Sequence, residues 1–143
     1  DMILLVEDNA DDAALAVRAL RQNGFAHEVV RAKDGVEALD FLHGFGEHAS
    51  RDTRDLPMLV LLDLKLPRKD GLTVLQEIRQ SPLTRRLPVV ILTSSRDDAD
   101  LASGYDRGAN SCVRKPVDFT EFVKTLNTLA TYWLKINEQP PRS

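Results

Sequence analysis

A doubly wound α/β fold is what the sequence predicts, with five parallel strands in one sheet, five helices on its faces and an extended last helix. Two observations predict it. Short apolar runs alternate with helical patterns five times along the chain, and the runs end in residues that carry charge or a hydroxyl. Met2-Ile3-Leu4-Leu5-Val6, Met58-Leu59-Val60-Leu61-Leu62 and Val89-Val90-Ile91-Leu92 are nearly unbroken apolar segments. Runs of this length suit strands buried on both faces, as in a parallel sheet. Glu28-Val29-Val30-Arg31-Ala32 and Ser111-Cys112-Val113-Arg114 are weaker runs that fit strands nearer an edge.

The helices follow from caps and period. Asp11 or Asp12 is a cap for a helix running to about Asn23, with Leu15, Ala19 and Leu20 inward and Gly24 as its end. Asp34 caps a second, in which Val36, Leu39 and Leu42 recur at helical spacing. Asp70-Gly71 opens a third, with Leu72, Leu75 and Ile78 inward and Pro82 past its end. Residues 96–108 form a polar fourth. Asp118 caps a fifth, with Phe119, Phe122, Leu126 and Leu129 facing in. The polar residues 46–56 read as a helix end or loop. Residues 1–138 form one domain, and residues 139–143, with two prolines, form a frayed tail.

Bulk properties narrow the function. The 143 residues suffice for one core, and 43% apolar with 29% charged residues is ordinary globular composition. A net charge of −3 argues against general nucleic-acid binding, which needs a basic face. One cysteine forbids an internal disulfide and fits a reducing compartment. No apolar run is long enough to cross a bilayer and no signal-peptide pattern opens the chain, so a cytoplasmic location without membrane contact is expected.

Open parallel sheets bind ligands at the carboxyl ends of their strands. Here the first strand ends in Glu7-Asp8, the third in Asp63, the fourth in Thr93-Ser94 and the fifth in Arg114-Lys115-Pro116. Singly, each has an ordinary explanation: a solvated strand end, a helix cap, a turn. Their joint placement on one edge is the informative feature. Three carboxylates brought together repel unless a cation lies among them. Hard oxygen ligands suit Mg2+, whereas no Cys/His set for zinc exists; His27, His43 and His48 lack ligand spacing and read as surface residues. Lys115 adds a fixed positive charge that can pair with a carboxylate and later hold a phosphoryl oxygen, and Thr93 adds a hydroxyl.

Val6-Glu7-Asp8-Asn9, Leu62-Asp63-Leu64-Lys65-Leu66-Pro67-Arg68-Lys69-Asp70-Gly71, Leu92-Thr93-Ser94 and Val113-Arg114-Lys115-Pro116 resemble, in order and spacing, the receiver domain of bacterial response regulators, the CheY-like fold. The resemblance covers nearly the whole chain. It implies that Asp63 accepts a phosphoryl group from a histidine kinase as an acyl phosphate. It implies that Glu7, Asp8, Asp63 and the carbonyl of Lys65 serve Mg2+, with Glu7 acting mainly through a bound water. Thr93, the Ser94 N–H and Lys115 then hold phosphoryl oxygens. Such a domain is a signalling phosphoacceptor rather than an enzyme, although it catalyses its own phosphotransfer and slow autodephosphorylation. A cis Lys115–Pro116 bond is also implied. Cys112 departs from the pattern, standing at the switch position where the family usually has an aromatic. It reads as a small buried residue rather than a redox group, and output is expected to depend on the fourth-helix region and the last helix.

The chain continues as Thr131-Tyr132-Trp133-Leu134-Lys135-Ile136. Tyr132, Trp133, Leu134 and Ile136 either pack on their own domain or form a homodimer surface. This tail, the Val-Glu-Asp-Asn opening and the insertion at 46–56 resemble stand-alone regulators that partner phytochrome-type histidine kinases. No DNA-binding domain follows in this chain, so output through protein contacts is expected. The competing class is a phosphohydrolase of the haloacid-dehalogenase type, which needs a second Asp two residues after the nucleophile; Lys65 stands there. A degenerate receiver that binds partners without phosphorylation is disfavoured by the complete set of acids, threonine and lysine.

Overall fold

The computed structural model describes residues 2–22 and 28–141. The strands are β1 (Met2–Val6), β2 (Glu28–Ala32), β3 (Leu59–Leu62), β4 (Val89–Thr93) and β5 (Ser111–Arg114). They form one parallel sheet in the order β2-β1-β3-β4-β5. The three apolar runs are the three central strands, and the two weaker runs are the edges. Alternation divides β1 between two cores, because successive side chains point to opposite faces. Ile3 and Leu5 join a cluster with Ala13, Ala16, Leu20, Leu61, Phe122 and Leu126, whereas Leu4 and Val6 join one with Leu42, Leu62, Leu75, Ile78 and Ile91. The first cluster lies under α1 (Ala10–Gln22) and α5 (Phe119–Thr131), the second under α2 (Gly35–His43) and α3 (Gly71–Gln80). The remaining helix, α4 (Asp98–Asp106), buries only Gly104.

Capping sets the helix starts. Asp34, Asp70 and Asp118 accept the backbone N–H of Glu37, Thr73 and Glu121 respectively. For α1 the cap is Asn9, whose Oδ1 accepts the Asp12 N–H at 2.9 Å. The expectation of Asp11 or Asp12 is corrected, because both carboxylates lie inside the first turn. The expected end at Asn23 and Gly24, like His27, falls outside the described residues. The fourth helix is shorter than residues 96–108, since Asp97 caps it at the Ala99 N–H. Phe119 is also corrected: the first residue of α5, it is 51% exposed, while Phe122 and Leu126 are buried in the core.

The polar insertion after α2 contains a short 3-10 turn, Gly46–His48. Arg51 ties it down, lying 3.8 Å over the Phe41 ring and donating to the carbonyls of Phe41 and Asp55. The last helix extends through a π-helical turn, Tyr132–Ile136. Beyond it, Gln139 donates to the Trp133 carbonyl and Arg86 to that of Pro141; the last two residues of the expected frayed tail, 142–143, lie outside the described residues. His43 stacks on Phe45 and His48 meets the Phe41 ring edge-on, so both are half-buried rather than plain surface residues.

Gly71 shows why the loop after β3 needs a glycine. A Cβ there would meet the Asp63 carbonyl oxygen at 2.2 Å and the Leu64 Cα at 2.7 Å, both backbone atoms. Gly71→Ala is therefore expected to lower stability in urea by about 1–3 kcal/mol, as forced overpacking does. Equilibrium unfolding checks it; an unchanged midpoint means the helix start can shift without cost.

Candidate functional site

The sheet order delivers the expected residues to one edge. β1 and β3 are neighbours with Val6 opposite Leu62, so Glu7-Asp8 and Asp63 emerge side by side. Carboxylate oxygens of Glu7, Asp8 and Asp63 lie within 4.8 Å of one another. Glu7 and Asp63 are buried and Asp8 is exposed. The Lys115 N–H donates to the Thr93 carbonyl at 2.7 Å, and this bond carries Lys115 past the end of β5 toward the acids. Its ammonium donates to Glu7 Oε1 and lies 3.3 Å from Asp63 Oδ2.

Burial sets the electrostatics. It pushes the Glu7 carboxyl above its ordinary pKa, and the hydrogen bonds from Lys115 and from the Asn9 N–H only partly offset it. Burial also works against the Lys115 ammonium, but its hydrogen bond to Glu7 and the charges of Asp63 and Glu7 outweigh that and hold its pKa above the usual lysine value.

Thr93 is fully buried, and its Oγ1 accepts the Ser95 N–H at 3.1 Å. Ser94 follows it on the same edge. Lys65 is close but turned outward: its N–H reaches Asp63 Oδ1 at 3.4 Å and its ammonium lies 3.8 Å from Asp100. Every peptide bond among the described residues is trans, so the expected cis Lys115–Pro116 bond is corrected. Trans is the lower-energy form of an X–Pro bond, and with it the Lys115 side chain still reaches both acids.

Cys112 is half-buried on β5, its thiol pKa raised by burial, and its N–H donates to the Tyr105 hydroxyl at 3.2 Å. The residues after α5 divide. Trp133 and Leu134 pack against the core, while Tyr132 and Ile136 are 45% and 65% exposed.

Two residues that sequence reasoning passed over hold the acid loops. Arg31 of β2 donates to the carbonyls of Glu7 and Asp8, both at 3.0 Å. Arg68 takes a left-handed backbone at φ 66° and lies 3.3 Å from the capping Asp34. The only sequence signal for Arg31 is a long cation one residue before the end of an edge strand, too common a feature to single out.

A five-stranded sheet of this order, with three acids, a lysine and a threonine at its carboxyl edge, defines the receiver class. The model of the response regulator receiver domain matches residues 3–127, and the chain belongs to that family. Phosphoryl acceptance and Mg2+ use are general to it. The chain is 42% identical over 141 residues to the probable methanogenesis regulatory protein FilR2 of Methanothrix harundinacea, covering 97% of this chain and 87% of that one. It is similar to the crystal structure of the phosphorylated cyanobacterial phytochrome response regulator RcpA, with a TM-score of 0.91, 37% identity and 98% of each chain covered. It is also similar to the Mn2+-bound form of response regulator Rcp1 from Synechocystis, with a TM-score of 0.89, 36% identity and 98% and 99% covered. No helix among the described residues is long and apolar enough to cross a membrane.

Lys115 gives a stability prediction with a definite sign. Its pKa is raised on folding, so its contribution is complete below the ordinary lysine pKa and is lost as pH rises through the higher folded value. Lys115→Met should cost about 1–3 kcal/mol at neutral pH in chelator, less than the roughly 3–5 kcal/mol of a fully enclosed pair because the pocket opens to water. Urea unfolding of both proteins across pH should show the gap closing above the lysine range; a gap independent of pH would mean that lost packing, not charge, is responsible.

Proposed function

We propose that this domain takes a phosphoryl group from the phosphohistidine of a sensor histidine kinase onto Asp63 and signals the change through protein contacts. The observation that carries the reading is the pair of buried carboxylates, Glu7 and Asp63, sharing the Lys115 ammonium beside Asp8.

The donor set fits a hard divalent cation. Three carboxylates converge, one of them open to water, and among the described residues no histidine or cysteine joins the cluster. Glu7, Asp8, Asp63 and the Lys65 carbonyl would hold Mg2+, with Glu7 acting mainly through water. When bound, the ion offsets the charge that grows on the transferring phosphoryl oxygens. Asp63 supplies the attacking oxygen: its bond to phosphorus forms as the phosphorus–nitrogen bond breaks, and the electron pair returns to the kinase imidazole. Lys115 turns from its carboxylate partners to a phosphoryl oxygen, and the Thr93 hydroxyl and Ser94 N–H meet the others. Slow attack of water on the acyl phosphate resets the domain, so it is a phosphoacceptor with its own catalytic residues rather than an enzyme with turnover on a separate substrate. The likeness to RcpA, named a phytochrome response regulator, supports a phytochrome-type kinase as the donor.

A small phosphodonor such as acetyl phosphate with Mg2+ should add one phosphoryl group, detected by mass and released by hydroxylamine. Asp63→Asn should take none. Continuous phosphate release without a labelled intermediate, or labelling that survives the substitution, rejects Asp63 as the acceptor.

Homodimerisation through the last helix is the second element of the reading, and exposed Tyr132 and Ile136 support it. Sedimentation should show a dimer that Ile136→Glu dissociates. An unchanged sedimentation coefficient in that variant removes this face from the interface.

A further inference from the structure

The resting partner of Lys115 occupies the place where a cation must act. Glu7 is both the strongest contact of the ammonium and one of the three converging carboxylates, and Asp63 is the other contact. A divalent ion that engages Glu7, Asp8 and Asp63 competes with Lys115 for two of its partners. With only 11% of the Lys115 side chain exposed, leaving its ammonium without a partner is unfavourable, because a largely buried charge needs one.

One further carboxylate is in reach. Asp12 Oδ2 lies 3.9 Å from Lys115 Nζ, the only other ion-pair contact of that ammonium among the described residues. Asp12 sits in the first turn of α1, where its N–H is fixed by Asn9, so its position is set by the helix rather than by a mobile loop. It makes no other ion pair among the described residues. A hollow of about 140 Å³, lined by Asp12, Leu15, Lys115, Pro116 and Phe122 among others, lies between α1 and α5 beside the lysine. The side chain therefore has both an alternative partner and room to reach it.

We propose that Asp12 is a positioning residue that receives the Lys115 ammonium when a divalent cation takes Glu7 and Asp63. The inference rests on the metal reading of the pocket above. Asp12 need not touch the ion; it lowers the cost of displacing Lys115 and keeps the ammonium close to where a phosphoryl oxygen arrives. An ordinary first-turn acid, which favours the helix through its dipole, would affect folding but would have no reason to act through Lys115.

A double-mutant cycle separates these roles. Mg2+ binding is titrated calorimetrically on the full chain for the wild type, Asp12→Asn, Asp12→Glu, Lys115→Met and the double variant Asp12→Asn/Lys115→Met. Asp11→Asn serves as a control of equal charge change, since Asp11 is exposed and makes no ion pair among the described residues. Asp12→Asn should weaken Mg2+ binding about twofold to fivefold, the range of a half-exposed ion pair, and Asp12→Glu should retain most of the affinity. The effect should vanish in the Lys115→Met background and be smaller for Asp11→Asn. Equal weakening with and without Lys115 overturns the proposal, because Asp12 would then act on the ion directly or as bare charge. Affinity unaffected by Asp12→Asn overturns it as well. A wild-type chain that binds no Mg2+ overturns both this proposal and the metal reading it rests on, whereas binding without dependence on Asp12 overturns this proposal alone.

Discussion

Glu7 and Asp63, buried just past the ends of β1 and β3, share the ammonium of Lys115. Two buried acids this close would otherwise repel, and one would be forced to hold a proton. The lysine makes the pair tolerable in a low-dielectric place and joins β1, β3 and the loop after β5 at a single point. Three separate stretches of backbone have to arrive in register for that contact to exist. The central strands supply the register by burying apolar side chains on both faces, and their cores keep water from the closed side of the pocket.

Around this contact the loops are held by groups that do no chemistry. Arg31 fixes the carbonyls of Glu7 and Asp8 from the edge strand, so these carboxylates rise from a loop with little freedom. Gly71 lets the first turn of α3 lie directly on the backbone of Asp63, and the Gly71 N–H donates to the Leu64 carbonyl at 2.9 Å. Gly35 does the same for α2, where a Cβ would meet the Lys69 carbonyl oxygen at 2.0 Å. The loop of residues 64–70 is thus gripped by two helix starts, which gives the conformation of Lys65 and its neighbours a cause in packing rather than in local preference.

Much of this was legible in the sequence because the determinants are local and binary. An unbroken apolar run must be buried on both faces, and an Asp ahead of a helical pattern has an N–H to satisfy; hence β1, β3, β4 and the caps at Asp34, Asp70 and Asp118 were readable. The convergence of Glu7, Asp8, Asp63 and Lys115 followed from strand ends and parallel order. The cap of α1 was not readable, because Asn9, Asp11 and Asp12 are all competent and only the backbone path chooses. The division of the last helix was also hidden: the π turn at Tyr132–Ile136 changes the helical period and rotates Trp133 and Leu134 onto the core while leaving Tyr132 and Ile136 outside. Arg31 and Asp12 act through contacts with distant segments, and no periodicity announces such contacts.

Charge explains why the pocket has this composition and not a simpler one. Three carboxylates against one ammonium leave two negative charges, the amount that a divalent cation brings. A pocket with two acids and the lysine would keep one negative charge and would attract such an ion less strongly. One with three acids and no lysine would be unstable before the ion arrived. On the proposed reading, an acyl phosphate on Asp63 would replace a single negative charge with about two, placed beyond the end of β3. Lys115, tethered by its N–H to the Thr93 carbonyl, already has its ammonium 3.3 Å from Asp63 Oδ2. The residue that stabilises the resting pocket would then be drawn to the modified one, and its backbone bond to β4 ties its position to Thr93, which carries a buried hydroxyl.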